Sequence, residues 1–413
     1  MRKFLFGHFL TNILLTFILL SSFSHTLAEV TLVDVLRQHT IIAHAQYEDA
    51  LIESKELDHA IQLLIASPSK KKLDNARLEW IKARIPYQQS EVHRFGHRIM
   101  NLWNRKVNAW ALDEGFIDYV DNNYVKDDAE NPLNNANIIA NNKIVVNGKE
   151  VDTSVISPEL LQNLHGAGNI DTNITTGYHV IEFLLWGQDL NTTVRGPGNR
   201  PYTDFDTTQC TGGNCKKRAD YLKAASKILI SDLEKMTQLW NPDGEVTKMI
   251  MQDLQSGLSA MVIEMSSLSY GELAGERMNL GLVLHDSNQE IDRFSDNTHA
   301  SYLNNIMSIM SNYTGEYTRI NGEIIRGPSL SDLINSKNKN LDSEIKNQLS
   351  KALKDAYILA ERAEHLESYD QMINSNNPEG NRIVRSVIDD LITLTESLKK
   401  IFIALDLKEF TEF

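Results

Sequence analysis

The chain has 413 residues, 42% of them hydrophobic and 23% charged, with a net charge of −14. This is ordinary globular composition, and the length suits two domains, each able to bury its own core. Strong acidity argues against nucleic acid and anionic membrane surfaces as partners, because both need clustered Lys and Arg.

The first 28 residues stand apart. Arg2 and Lys3 form a basic start, an apolar run reaches Leu20, and small or polar residues end at Thr26, Leu27 and Ala28. This reads as a secretory signal peptide, 1–28, with Thr26 and Ala28 at the small-residue cleavage positions. The alternative is an uncleaved anchor, for which the apolar core is short. The expectation is therefore an exported protein, in the periplasm or associated with the outer membrane, with no transmembrane segment in the mature chain.

Helical periodicity follows. Over residues 32–65, Val35, Ile42, Ala45, Ala50, Leu57, Ile61 and Leu64 recur at three- and four-residue intervals, which predicts an amphipathic helix. Ser67-Pro68-Ser69 ends it, and a second helix is expected from about Lys72. Pro86 should kink or restart that helix, leaving residues 88–102 as a separate stretch. Residues 121–176 break the pattern: Asn is dense, and Asn147-Gly148 between apolar runs predicts a type I′ β-hairpin. A helix is expected over 158–167, and another across His179. Residues 187–216 read as a structured loop, with Gly196-Pro197-Gly198 and both cysteines, Cys210 and Cys215. In an exported chain, two cysteines closing a short Gly-rich loop are read as a disulfide; a thiolate metal site would want two further ligands nearby.

The second half is again helical, over 218–239 and 245–268 with a turn at Asn241-Pro242-Asp243-Gly244 between them. The last helix carries Val384, Val387, Leu391, Leu394, Leu398, Ile401 and Leu405 on one stripe, ordinary bundle core. The fold class is thus all-α: two helical bundles, over 29–205 and 206–413, with a small β-hairpin insertion (121–176) in the first. No internal repeat supports a duplication.

His179 and Glu182 are three apart on a helix and project from one face. Imidazole nitrogen with carboxylate oxygen suits iron, zinc or manganese. The pair lies among Val180, Ile181, Phe183, Leu184, Leu185 and Trp186, so it is expected to be buried and to need a partner, either an ion or a hydrogen-bond network. Glu91 and Asp113, beside apolar residues, would either complete an oxygen-rich ligand set or act as solvated or capping carboxylates. Ser295 or Asp296 would cap a helix that begins near Asn297. There is no His-Glu-x-x-His helix, phosphate loop or Gly-x-Ser-x-Gly elbow, which disfavours a hydrolase with a standard motif.

Arg84-Ile-Pro-Tyr-Gln-Gln-Ser-Glu91, Asn108-Ala-Trp-Ala-Leu-Asp-Glu-Gly115, Gly177-Tyr-His-Val-Ile-Glu-Phe-Leu-Leu-Trp-Gly-Gln-Asp189 and Ser295-Asp-Asn-Thr-His299 together resemble the imelysin family, in its branch of iron-regulated envelope proteins. The similarity spans about residues 32–405. It implies two bundles with a site at or near their interface, built around the Gly-x-His-x-x-Glu motif. The family also resembles the periplasmic component of a ferrous-iron uptake system, whose His and Glu act with upstream carboxylates on a metal. Carried over by position, the resemblance implies His179 and Glu182 as ligands, then Glu91 and Asp113, with Arg84, Ser90, Gly177 and Glu276 around them. Between Asp286 and Phe294 the chain departs from the more acidic, His-containing pattern of that branch. This puts any ligand role of that stretch in doubt and leaves His285 and His299 as further candidates. Cys210 and Cys215 look like an addition of this sequence.

Three functions are weighed. The first is capture of iron, or an iron chelate, during uptake alongside envelope iron-transport proteins, with zinc or another divalent ion as the other choice. The second is a metallopeptidase, after the activity proposed for the family. The third is a non-catalytic helical scaffold.

Overall fold

A computed structural model describes residues 30–124, 130–191 and 195–407; the expected signal peptide, 1–28, lies outside them. The elements in chain order are α1 (Leu32–Ala66), α2 (Lys70–Ser90), α3 (Arg98–Val107), α4 (Glu114–Ile117), β1 (Lys143–Val146), β2 (Lys149–Asp152), α5 (Pro158–Leu164), α6 (Tyr178–Trp186), α7 (Cys215–Trp240), α8 (Glu245–Gln252), α9 (Leu254–Ser266), α10 (Leu280–Leu284), α11 (Thr298–Thr314), β3 (Glu316–Thr318), β4 (Ile324–Arg326), α12 (Leu330–Lys337), α13 (Lys339–His365), α14 (Tyr369–Ile373) and α15 (Pro378–Ala404). The fold is all-α, with the two hairpins as small antiparallel sheets.

Local chemistry sets the helix ends. Thr31 and Asp34 form a capping box that opens α1, each satisfying a backbone N–H that the first turn leaves orphaned. Ser69 caps α2 through the Lys72 N–H. That helix does not stop at Pro86, as expected from the missing N–H; it runs on to Ser90. Ala83, Pro86, Tyr87 and Gln88 are all buried, and tertiary packing there outweighs the cost of one lost helical bond. The chain then tightens into a 3₁₀ turn, Glu91–Arg94, and bends before α3. Similarly, the single helix expected over 245–268 divides at Asp253, whose carboxylate takes the Ser256 N–H and caps α9.

The Asn147-Gly148 hairpin forms as expected: both residues have positive φ, 51° and 75°, and Val146 faces Lys149. A second hairpin, β3–β4, buries Tyr317, whose hydroxyl donates to Asp49 on α1 at 2.8 Å.

α1, about 50 Å long at 1.5 Å per residue, packs against α2 on one side and α7 on another, while α11 lies along α2 and α13 along α15. Most buried apolar side chains form one contiguous cluster from Val35 to Ile401, and Ile42, Ala45 and Tyr317 form a small second one. Between α9 and α10 the helix widens into a π-helical stretch, Ser267–Asn279, packed against α15. It brings Glu272 and Arg277 toward the centre. Among the described residues, no helix is long and apolar enough to cross a membrane.

Candidate metal centre

Gly177 sets the site's main helix in place. It is the N-cap of α6, at φ 93° and ψ −175°, and every residue of α6 is buried. His179 and Glu182 leave the same face of this helix. The His179 Nδ1 lies 3.1 Å from Glu182 Oε2 and 3.6 Å from Asp292 Oδ1. His179 is 1% exposed, and Glu182 and Asp292 are 0% exposed.

Asp292 comes from the loop before α11, in the stretch where the resemblance leaves a ligand role in doubt. Arg84 of α2 holds it through Nη2 to Oδ1 at 2.8 Å and Nε to Oδ2 at 3.4 Å, and the Ser301 hydroxyl and Asn297 amide also donate to Oδ2. Ser295, expected as a helix cap, instead donates its N–H (2.9 Å) and hydroxyl (2.7 Å) to Glu182 Oε1. Asn297 occupies the N-cap position of α11.

The electrostatics follow from burial. Desolvation, then the Arg84 charge, holds the His179 imidazole at about 3, so it is neutral at physiological pH and its lone pair is free for a metal. Burial, then the neighbouring Asp292 charge, pushes the Glu182 carboxyl well above its usual range. Burial acts on Asp292 in the same direction, but Arg84 overrides it and the carboxyl lies below its usual value.

The network continues past Arg84. Its Nη1 donates to Asn108 at 2.6 Å, and Asn108 donates to Glu91 Oε1 at 2.8 Å. Glu91 is engaged at both oxygens by Arg277, at 2.8 and 2.9 Å, and Arg277 and Arg94 both pair with Glu272. Glu91 is therefore separated from His179 by Asn108, Arg84 and Asp292, with a guanidinium fork on its carboxylate. Asn108 and Arg277 also border a cleft of about 690 Å³, together with exposed Glu276.

Asp113 is elsewhere: Asn131 and Thr172 donate to it, and it borders a second cleft with Glu114 and Arg293. The Ser90 hydroxyl donates to the Tyr87 carbonyl at 2.7 Å. His285 Nδ1 lies 2.7 Å from the Ile373 carbonyl, and His299 lies 3.9 Å from Glu364. Cys210 and Cys215 are joined in a disulfide, with Cα atoms 5.8 Å apart.

Next to Ser295, Asp296 has its pKa raised to about 7 by burial and by the charges of Asp189 and Asp370. The folded protein thus binds this proton more tightly than the unfolded chain, and its contribution to stability is lost as pH rises from about 4 to about 7. Asp296→Asn, which suits the positive φ of 57°, is expected to leave stability little changed at pH 4 and to raise it by about 2 kcal/mol at pH 8, allowing for partial exposure. Denaturant titrations at the two pH values measure this, and an equal effect at both would contradict the assignment.

Two solved structures share the fold. One is an iron-regulated protein A precursor from Parabacteroides distasonis ATCC 8503, with 20% identity and a TM-score of 0.61, covering 89% of this chain and 95% of that one. The other is an imelysin-like protein from Psychrobacter arcticum 273-4, with 13% identity and a TM-score of 0.58, covering 90% and 97%. No curated protein matches the chain. The model of the peptidase family Imelysin matches residues 43–398. That span takes in α2, α6, α9 and α11, the helices that carry the buried network, and the chain belongs to the imelysin family.

Proposed function

We propose that this is an exported cell-envelope protein that binds a metal ion, iron in the first instance, at His179, Glu182 and Asp292 as part of metal uptake. The observation that carries this reading is the convergence of one neutral imidazole and two carboxylates in a buried site. Arg84, Arg94 and Arg277 face Glu91, Glu182, Glu272 and Asp292, one carboxylate more than guanidinium. The excess negative charge favours a bound cation; without one, a proton on Glu182 balances the network, consistent with the raised pKa of that carboxyl. His179 Nε2 is buried without a hydrogen-bond partner, a polar atom that a bound ion would satisfy.

The mixed nitrogen and oxygen donors fit ferrous iron, zinc or manganese. Iron is favoured by the family and by the description of the Parabacteroides distasonis relative as iron-regulated. In this reading Arg84 fixes Asp292, Ser295 fixes Glu182, and Glu91 acts only indirectly, through Asn108 and then Arg84. A hydrolytic metal would need an open coordination position within reach of substrate, and the burial of all three donors speaks against that use.

Glu182→Ala and His179→Ala are each expected to weaken ferrous-iron binding by about 100-fold or more, since losing a first ligand outweighs the 10–100-fold typical of outer partners. Anaerobic competition titration against a chromogenic chelator measures this, with circular dichroism confirming the fold. Wild-type affinity in both variants would refute the site.

A further inference from the structure

A second cluster of imidazoles lies on the other side of the Glu91–Arg94 turn, and no part of the proposed iron site uses it. The turn presents Glu91 to the network described above and His93 to this cluster. His39 on α1, His93, His97 just before α3 and Glu264 on α9 bring their side chains together. Each of the four side chains is 0% exposed. The Trp240 indole closes one side, its ring centroid 5.2–5.5 Å from those of the three histidines.

The hydrogen bonds around the cluster fix which ring nitrogens carry protons. The Asn312 amide nitrogen faces Glu264 Oε2 at 3.4 Å, so its oxygen is the atom 2.7 Å from His39 Nδ1. An amide oxygen only accepts, so Nδ1 of His39 carries the hydrogen and Nε2 presents a lone pair. The Gln46 oxygen is placed 2.8 Å from His93 Nε2, and with an oxygen there that nitrogen carries the hydrogen and Nδ1 presents a lone pair. These two lone pairs point at one carboxylate oxygen: His39 Nε2 is 3.5 Å and His93 Nδ1 3.7 Å from Glu264 Oε2. Neither ring nitrogen has a hydrogen-bond partner. Three acceptors facing one another in a dry interior are repulsive unless a cation lies between them.

The spacing suits a metal better than a direct hydrogen bond. Bonds of about 2.0–2.1 Å from a tetrahedral ion place neighbouring donors ~3.4 Å apart, whereas direct N–H···O bonds fall at about 2.7–3.2 Å. Amide oxygens behind both ligating imidazoles are the usual outer support of a metal-bound histidine. His97 Nε2, 3.1 Å from the other oxygen of Glu264, orients the carboxylate.

We propose that His39, His93 and Glu264 form a second, closed site for a divalent first-row transition ion of the zinc type, which pins α1, the bend between α2 and α3, and α9 together. Three protein donors leave one coordination position over, but with all three buried and Trp240 closing one side, no substrate reaches it and the role is structural.

The test separates this site from the iron site. A His179→Ala/Glu182→Ala variant, produced in zinc-supplemented medium and purified without chelator, is expected to retain about one zinc per chain. Diffraction data collected above and below the zinc edge should give an anomalous peak between His39, His93 and Glu264. Absence of that peak from crystals of zinc-supplemented protein would overturn the proposal, leaving the cluster to be satisfied by a shared proton. A His93→Phe change in the same background should lose the zinc. If that variant fails to fold, the anomalous map of the parent decides alone. Because the test uses protein lacking the first site, failure of either reading leaves the other standing.

Discussion

Replacing Arg277 by Ala is expected to lower stability by about 3–5 kcal/mol, the cost of leaving a buried charge without its partner. Arg277 is 3% exposed and meets Glu91 with both terminal nitrogens, at 2.8 and 2.9 Å, while also donating to Asn305 at 2.9 Å. Burial alone would raise the pKa of Glu91; Arg277 is the largest opposing influence and holds the carboxyl far below its usual range. Without the guanidinium, Glu91 either stays ionised in a dry interior or takes up a proton, and both cost free energy at pH 7.

The sign of the pH dependence follows. In the wild type the depressed Glu91 pKa stabilises the fold above about pH 4 and that stability is lost in acid, whereas in Arg277→Ala the carboxyl is protonated more readily. The gap between the two proteins should therefore narrow as pH falls. Replacing both partners, as in Glu91→Gln/Arg277→Met, should cost less than Arg277→Ala alone, because no charge is left unpaired. Guanidinium titrations of the three proteins measure this, and a loss below about 1 kcal/mol for Arg277→Ala would mean that water reaches Glu91.

What the sequence reveals of this network depends on distance along the chain. His179 and Glu182 are legible because a three-residue spacing on a helix fixes their relation, and the apolar neighbours predict burial. Asp292 is not legible, because it meets them across more than a hundred residues from a loop without periodicity, and nothing local distinguishes it from a solvated aspartate. Glu91 is visible as a carboxylate in an apolar setting, but its guanidinium partner lies on a π-helical turn that a 3.6-residue period does not predict. The histidine cluster leaves one trace, His93 and His97 four apart, with His39 and Glu264 again remote. The β3–β4 hairpin carried a readable signal in Asn321-Gly322 between strand-forming residues. The run through Pro86 is a case where tertiary packing overrides a local rule.

Gly177→Ala should test how narrowly the site is positioned, with a loss on the order of 4 kcal/mol or outright failure to fold. The residue lies at φ 93° and ψ −175°, a region open essentially to glycine alone, where another residue pays about 1–3 kcal/mol. A Cβ there would also collide with the Val107 carbonyl oxygen and come within 2.7 Å of that of Lys106. Both are backbone atoms at the end of α3, which cannot rotate away as a side chain could. α6 would have to withdraw, carrying His179 and Glu182 with it relative to Asp292 and Arg84, so metal affinity should fall along with stability. Gly148→Ala provides the comparison: its φ is also positive, at 75°, but a Cβ there meets nothing within 4 Å. That variant should lose only about 1–2 kcal/mol from backbone strain and keep full metal binding. If the two alanine variants prove equally stable, the close approach of α3 to α6 is not what fixes the site, and the geometry around His179 must be held from the Arg84 side instead.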